Sequence, residues 1–131
     1  MLPVLYLAQE EFGYLSTEAI DYVAKMMELS PARVYGVVTF YTMLNMKPIG
    51  RHHLQVCRTL PCALMGAEKI ASFLKAKLGI GLGETTLDGK FTLSEVECLA
   101  SCGTGPMMQV NDDYYEDLTE ERVEDILKTL K

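Results

Sequence analysis

Apolar residues recur every three or four positions through the first fifty residues, and the rhythm then changes. Pro3 suits the first turn of a helix, and Gly13 suits its stop after Phe12. Ser16 can cap a second helix, with Glu18 in its first turn and Ile20, Val23, Ala24 and Met27 on its inner face. Ser30-Pro31 opens a third helix, striped by Val34, Val37, Val38 and Tyr41. Lys47-Pro48-Ile49-Gly50 breaks the pattern and reads as a linker.

Beyond Gly50, His53–Cys57 alternates, with Leu54 and Val56 on one face, and predicts a strand. Ala67, Ile70, Ala71, Leu74 and Leu78 predict one helix from about Ala63 to Leu78, ended by Gly79. Gly81–Asp88 reads as a loop. Asp88-Gly89 signals a turn before the alternating strand Phe91–Glu97. Pro106–Val110 and Tyr114–Glu116 predict two short strands joined by Asn111-Asp112-Asp113. Thr119 can cap a last helix carrying Val123, Ile126, Leu127 and Leu130. The expected fold is α/β: a small helical subdomain over residues 1–50, then a layer over 51–131. That strand–helix–strands–helix order is compatible with a thioredoxin-like arrangement.

Composition narrows the function. The chain has 131 residues, 49% of them hydrophobic, enough for a core. Its formal charge of -6 argues against nucleic acid as a partner, since a phosphate backbone calls for a basic face. The acidic stretch Asp112–Asp125 reads as a solvated helix face. No run is long enough to span a membrane, so no direct membrane insertion is expected. Met1-Leu2-Pro3 has none of the features of a signal peptide. A cytoplasmic setting follows as the expectation, and there thiols stay reduced.

That setting gives the four cysteines their meaning. They form two close pairs, Cys57 with Cys62 and Cys98 with Cys102, each where a predicted strand ends. Four thiolates, two per iron, are what a [2Fe–2S] cluster needs. Such a cluster is anionic and requires N–H donors around its sulfurs. Cys62 is expected at the N-terminus of the 63–78 helix, where free N–H groups point outward. Gly66, Gly103 and Gly105 are expected to let backbone approach sulfur closely. Spacing alone leaves a structural zinc site open. A C-x-x-C redox pair is absent, and disulfides would need an oxidising compartment.

Other features carry less. His52 and His53 are adjacent on a strand, face opposite ways and read as surface residues without a ligand role. Met43, Met46, Met107 and Met108 read as core or interface. Thr39-Phe40-Tyr41 reads as helix packing. Gly79-Ile80-Gly81-Leu82-Gly83 follows a helix and lacks a downstream Lys-Ser/Thr, so it is no phosphate loop. No catalytic set stands out.

Several motifs together identify a family resemblance. They include Leu2-Pro3-Val4-Leu5, Val34-Tyr35-Gly36-Val37, Thr39-Phe40-Tyr41-Thr42, Leu54-Gln55-Val56-Cys57, Pro61-Cys62, Gly83-Glu84-Thr85-Thr86 and Val96-Glu97-Cys98. Over essentially its whole length the chain resembles the thioredoxin-like [2Fe–2S] ferredoxin subunits of respiratory complex I. The resemblance implies one [2Fe–2S] cluster on Cys57, Cys62, Cys98 and Cys102. It implies an electron-transfer role in NADH:quinone oxidoreductase, peripheral on the cytoplasmic side of the inner membrane. The implied partner is a flavoprotein subunit that itself binds FMN and NADH. The segment Thr39–Asn45 looks more like the complex I version than the equivalent subunit of NAD-linked hydrogenases or formate dehydrogenases, which is the alternative. A zinc-stabilised interaction module is a third. The helical subdomain is the candidate flavoprotein contact. The family loop usually reads C-x-G-x-C-x-x-A-P; here Ala100 replaces the glycine and Gly105 the alanine. Alanine at position 100 is strained if the loop needs a positive φ there.

Overall fold

The computed structural model describes residues 1–131 as two compact units, Met1–Ile49 and Gly50–Lys131. In the first, α1 (Leu2–Phe12), α2 (Thr17–Met26) and α3 (Pro31–Phe40) pack around Leu5, Leu15, Ile20, Val23, Val34 and Val38, all nearly inaccessible to water. Burying each such side chain contributes roughly 1.5–3 kcal/mol before entropy is counted. Gly13 ends α1 in a left-handed cap, and the Ser16 hydroxyl accepts from the Ala19 N–H to start α2. The Gln9 side chain holds the segment after α3, donating to the Met43 carbonyl and accepting from the Asn45 N–H. Tyr41 packs against this core, but Phe40 does not: it is 76% exposed. α3 ends at Phe40, and Tyr41 reaches the core from extended backbone beyond it, so the reading of Thr39-Phe40-Tyr41 as a packed unit on the helix is corrected at Phe40.

The second unit is a five-stranded sheet in the order β2-β3-β1-β4-β5. Its strands are β1 (His52–Cys57), β2 (Glu84–Thr85), β3 (Phe91–Val96), β4 (Met108–Val110) and β5 (Asp113–Tyr115). β1 and β3 are parallel, and every other neighbouring pair is antiparallel. A parallel pair needs a crossover, supplied by α4 (Leu60–Leu64) and α5 (Ala67–Leu78). The last helix, α6 (Glu120–Thr129), is capped by the Thr119 hydroxyl. Leu54, Val56, Leu74, Leu93, Met107, Met108 and Val123 form the core. The carboxylates of α6 face outward, apart from Glu124, which is half-buried beside Lys77.

Three expectations change here. The single helix over 63–78 is two helices, broken at Gly66, whose φ of 99° no other residue adopts readily. The loop Gly81–Asp88 contains β2, a two-residue strand too short to leave a period. His53 is not at the surface but 7% exposed, because β1 is a central strand covered on both faces. Its Nε2 lies 2.8 Å from the Ser94 hydroxyl.

Candidate functional site

β1 and β3 lie in register, with Cys57 opposite Val96. Their C-terminal ends therefore reach the same end of the sheet, and a cysteine-bearing segment follows each. Cys57 is the last residue of β1, and Cys62 is the middle residue of α4 rather than the start of a long helix. Cys98 lies two residues past β3, and Cys102 opens a 3-10 turn, Cys102–Thr104. The two strand ends are tied together. The Arg58 N–H donates to the Val96 carbonyl at 3.0 Å, and its Nε donates to Glu97 at 3.0 Å. That ion pair is exposed and adds little stability, but it joins the residue after Cys57 to the residue before Cys98.

All four thiols are free of disulfides. Cys98 Sγ and Cys102 Sγ stand 3.9 Å apart. Cys57 and Cys62 lie close enough for each to shift the titration of the other. The charge of Cys102 is felt at Cys62, and that of Cys57 is felt at Cys102. The structure thus places the four predicted residues at one end of the sheet as two pairs whose charges influence each other. No three His, Cys, Asp or Glu side chains close on a single point.

The thiols experience different fields. Burial pushes the Cys62 thiol up, to about 11, and adjacent Cys57 adds to the effect. Burial also raises Cys57. The Thr59 hydroxyl, 3.3 Å from its sulfur, and the backbone N–H groups of Leu99 and Thr59 outweigh that and leave it below the ordinary thiol value. Cys102 is raised by the hydrogen bond and charge of Cys98 beside it. The Leu99 donor is notable in origin: it lies between the second pair yet serves a sulfur of the first.

This donor set fits a two-iron group held by thiolates. Backbone N–H groups already act on three sulfurs: that of Ala100 donates to Cys98 with 3.3 Å between nitrogen and sulfur, those of Leu99 and Thr59 favour the Cys57 thiolate, and that of Met107 favours the Cys62 thiolate. The first pair is shielded from water, and Gly105 closes over it. A Cβ at position 105 would come within 3.2 Å of Cys62 Sγ. The other two glycines do not approach sulfur in this way. Nothing lies within 4 Å of a Cβ at Gly66 or Gly103. Gly66 serves the break between α4 and α5 instead.

Ala100 has φ 57°, so the loop does need a left-handed residue there and alanine occupies it. Three residues other than the cysteines also hold the site and have no signature in the sequence. The Tyr114 hydroxyl donates to the Leu99 carbonyl at 2.7 Å, and Glu116 accepts from the hydroxyls of Ser101 and Thr104. Thr59 acts on Cys57 as described.

The chain matches the family described as thioredoxin-like [2Fe–2S] ferredoxin over residues 1–131. It is 53% identical over 128 residues to an NADH-quinone oxidoreductase subunit of Rickettsia felis, covering 97% of this chain and 77% of that one. It is 47% identical over 132 residues to NADH dehydrogenase (ubiquinone) flavoprotein 2, mitochondrial, of Dictyostelium discoideum, covering 100% of this chain and 53% of that one. A solved NAD+-reducing [NiFe]-hydrogenase shares the fold, with a TM-score of 0.78 at 17% identity over 96% of this chain and 22% of its own.

Proposed function

Since this chain belongs to the thioredoxin-like [2Fe–2S] ferredoxin family, we propose that Cys57, Cys62, Cys98 and Cys102 hold one [2Fe–2S] cluster. The chain is an electron-transfer subunit of an NADH:quinone oxidoreductase, the assembly named for relatives at about half identity. The observation that carries the ligand assignment is the meeting of two thiol pairs at the ends of parallel β1 and β3, with N–H donors already on the sulfurs.

When bound, the cluster supplies a one-electron centre for exchange with the FMN of a neighbouring flavoprotein subunit. The residues of this chain make no bonds in a substrate. Cys57 and Cys62 anchor from the core and exclude water on one side. The N–H groups of Leu99, Thr59, Met107 and Ala100 offset negative charge on sulfur and so favour the reduced state. Cys98 and Cys102 are exposed, which leaves that side open to a partner.

The partner in this reading is the FMN- and NADH-binding flavoprotein subunit. The helical subdomain over residues 1–50 contributes to its contact, and the ferredoxin domain over 51–131 carries the cluster. The chain has no helix long and apolar enough to cross a membrane. In this reading it attaches peripherally through its partner, on the cytoplasmic side of the inner membrane.

The test is anaerobic purification followed by iron, sulfide and zinc analysis and EPR after dithionite reduction. Two irons, two sulfides and one rhombic signal per chain are expected. A colourless protein with one zinc would overturn the cluster. Co-purification with an FMN protein, and an NADH assay against quinone, hydrogen or formate, identifies the parent enzyme. Activity with hydrogen or formate in place of quinone would overturn that assignment.

A further inference from the structure

Cys98 and Cys102 are exposed, and no helix or strand contains Cys98. Packing holds their loop only in part, through half-buried Leu99 against the core, and its backbone passes through the unfavourable φ of Ala100. Further contacts must keep it in place. The segment at the end of β5 and just after it does so at three points. The Tyr114 hydroxyl donates to the Leu99 carbonyl at 2.7 Å. The Asp117 N–H donates to the Thr104 carbonyl at 2.8 Å. Between them, one carboxylate oxygen of Glu116 accepts from both Ser101 Oγ and Thr104 Oγ1. Those two hydroxyls also lie 2.6 Å from each other, which closes a three-membered ring of polar groups.

We propose that Glu116 is a positioning residue for the redox centre: its Oε1 gathers Ser101 and Thr104 and thereby sets the Cys98–Cys102 loop in its ligating shape. Ser101 directly precedes Cys102, so a shift of its hydroxyl moves that sulfur. The loop also carries the Leu99 N–H that serves Cys57, so loosening it disturbs both pairs. The hydroxyl donors hold the Glu116 carboxyl below the usual carboxylate range, Ser101 first and Thr104 second, so it is anionic at neutral pH. A fixed negative charge beside the centre disfavours the added electron. Glu116 thus has two separable effects, one from its oxygen and one from its charge.

This inference rests on the cluster assignment above, and the experiment separates the two. Full-length wild type, Glu116→Gln, Glu116→Ala and Thr104→Val are loaded anaerobically. Each is followed by cluster loss to an iron chelator, EPR, midpoint potential and amide hydrogen exchange across residues 98–104. Glu116→Ala should lose cluster about tenfold faster, as expected for removing a charge-assisted hydrogen bond. Its EPR signal should broaden, and its loop should exchange faster. Glu116→Gln keeps the acceptor oxygen and should return cluster retention to within about twofold of wild type. Both should have a more positive potential, because both lose the charge. Thr104→Val leaves the carboxylate in place and should fall between wild type and Glu116→Ala in retention. A Glu116→Ala protein with wild-type retention, line shape and loop exchange would overturn the proposal, as would a glutamine that rescues nothing. A wild type that binds no [2Fe–2S] cluster would overturn the assignment itself. Loop exchange, read without any cluster, would still decide whether Glu116 orders residues 98–104.

Discussion

The two cysteine pairs sit at the same end of one sheet and are held by opposite means. Cys57 and Cys62 are 2% and 1% exposed, members of the core that Leu54, Val56 and Met107 define. Cys98 and Cys102 are exposed, on a loop kept in shape by side chains from residues 114–116. The first pair is positioned by packing and the second chiefly by hydrogen bonding, with Leu99 its one core-facing apolar side chain. Packing is costly to disturb and insensitive to any one polar contact. Hydrogen-bonded loops are cheap to disturb and can be adjusted by single residues. A redox protein gains from both. One side fixes the centre and keeps water away, and the other stays accessible to whatever delivers the electron.

The largest difference should appear when serine is put on each side. Cys62→Ser places a hydroxyl in the core beside Gly105, with the Met107 N–H and the Cys57 thiol as its polar neighbours among apolar side chains. It should abolish the cluster and also lower the stability of the metal-free fold by about 1–3 kcal/mol. Cys102→Ser should equally impair the cluster, yet change metal-free stability by less than about 0.5 kcal/mol. Urea titration of the metal-free proteins, with iron analysis of the loaded ones, separates the two quantities. Equal destabilisation by both substitutions would mean that the exposed pair is packed after all.

A second substitution probes the exposed side alone. Ala100 sits at φ 57°, where an L-residue is held against its preference by about 1–2 kcal/mol. Glycine removes that cost but adds about 0.4–1 kcal/mol of chain entropy in the unfolded state. Ala100→Gly should therefore stabilise by roughly 0.5–1 kcal/mol, visible as a rise of ~3 °C in Tm. The N–H at position 100 still donates to Cys98 in the glycine variant, so the EPR signal should keep its g-values. A drop in Tm would show that the loop gains from the alanine methyl in a way backbone strain does not describe.

The same contrast accounts for how much of the molecule is legible in the sequence. Helices and strands with a buried stripe leave a period: α1, α2, α3, α5, α6, β1 and β3 are all visible in the spacing of Val, Ile, Leu and Ala. The cysteine pairs are visible because both lie where a strand pattern stops. Features without a period stay hidden. The break at Gly66 interrupts a stripe that continues on either side, so α4 and α5 read as one helix. β2 has two residues. The burial of His53 depends on strand order, which local alternation does not encode. Glu116 touches Ser101 and Thr104 across 15 and 12 residues of chain. Only the return of β4 beside β1, with β5 paired to β4, brings them together. What packing dictates is readable from spacing, and what hydrogen bonding dictates needs the fold.

The smallest effect concerns the packed side alone. His53 stands on β1, four residues before Cys57, with its ring 2.8 Å from Ser94 on β3 and its N–H donating to Asn111 Oδ1. Burial holds its imidazole below the ordinary histidine range. The folded state therefore takes up its proton less readily than the unfolded chain. Above the unfolded value both forms are neutral, and the full stability is present. As pH falls below about 6.5, the unfolded chain protonates first, and stability drains until the folded pKa is passed. The urea midpoint of the wild type should thus fall between about pH 7.5 and 5.5, and His53→Gln should flatten that slope. Hydrogen exchange over the same range should quicken in β1 and leave residues 98–104 unchanged, because the loop takes nothing from the His53 ring. Acid loosening that began in the loop would reverse these roles, making the hydrogen-bonded side the one that governs how the two pairs stay together.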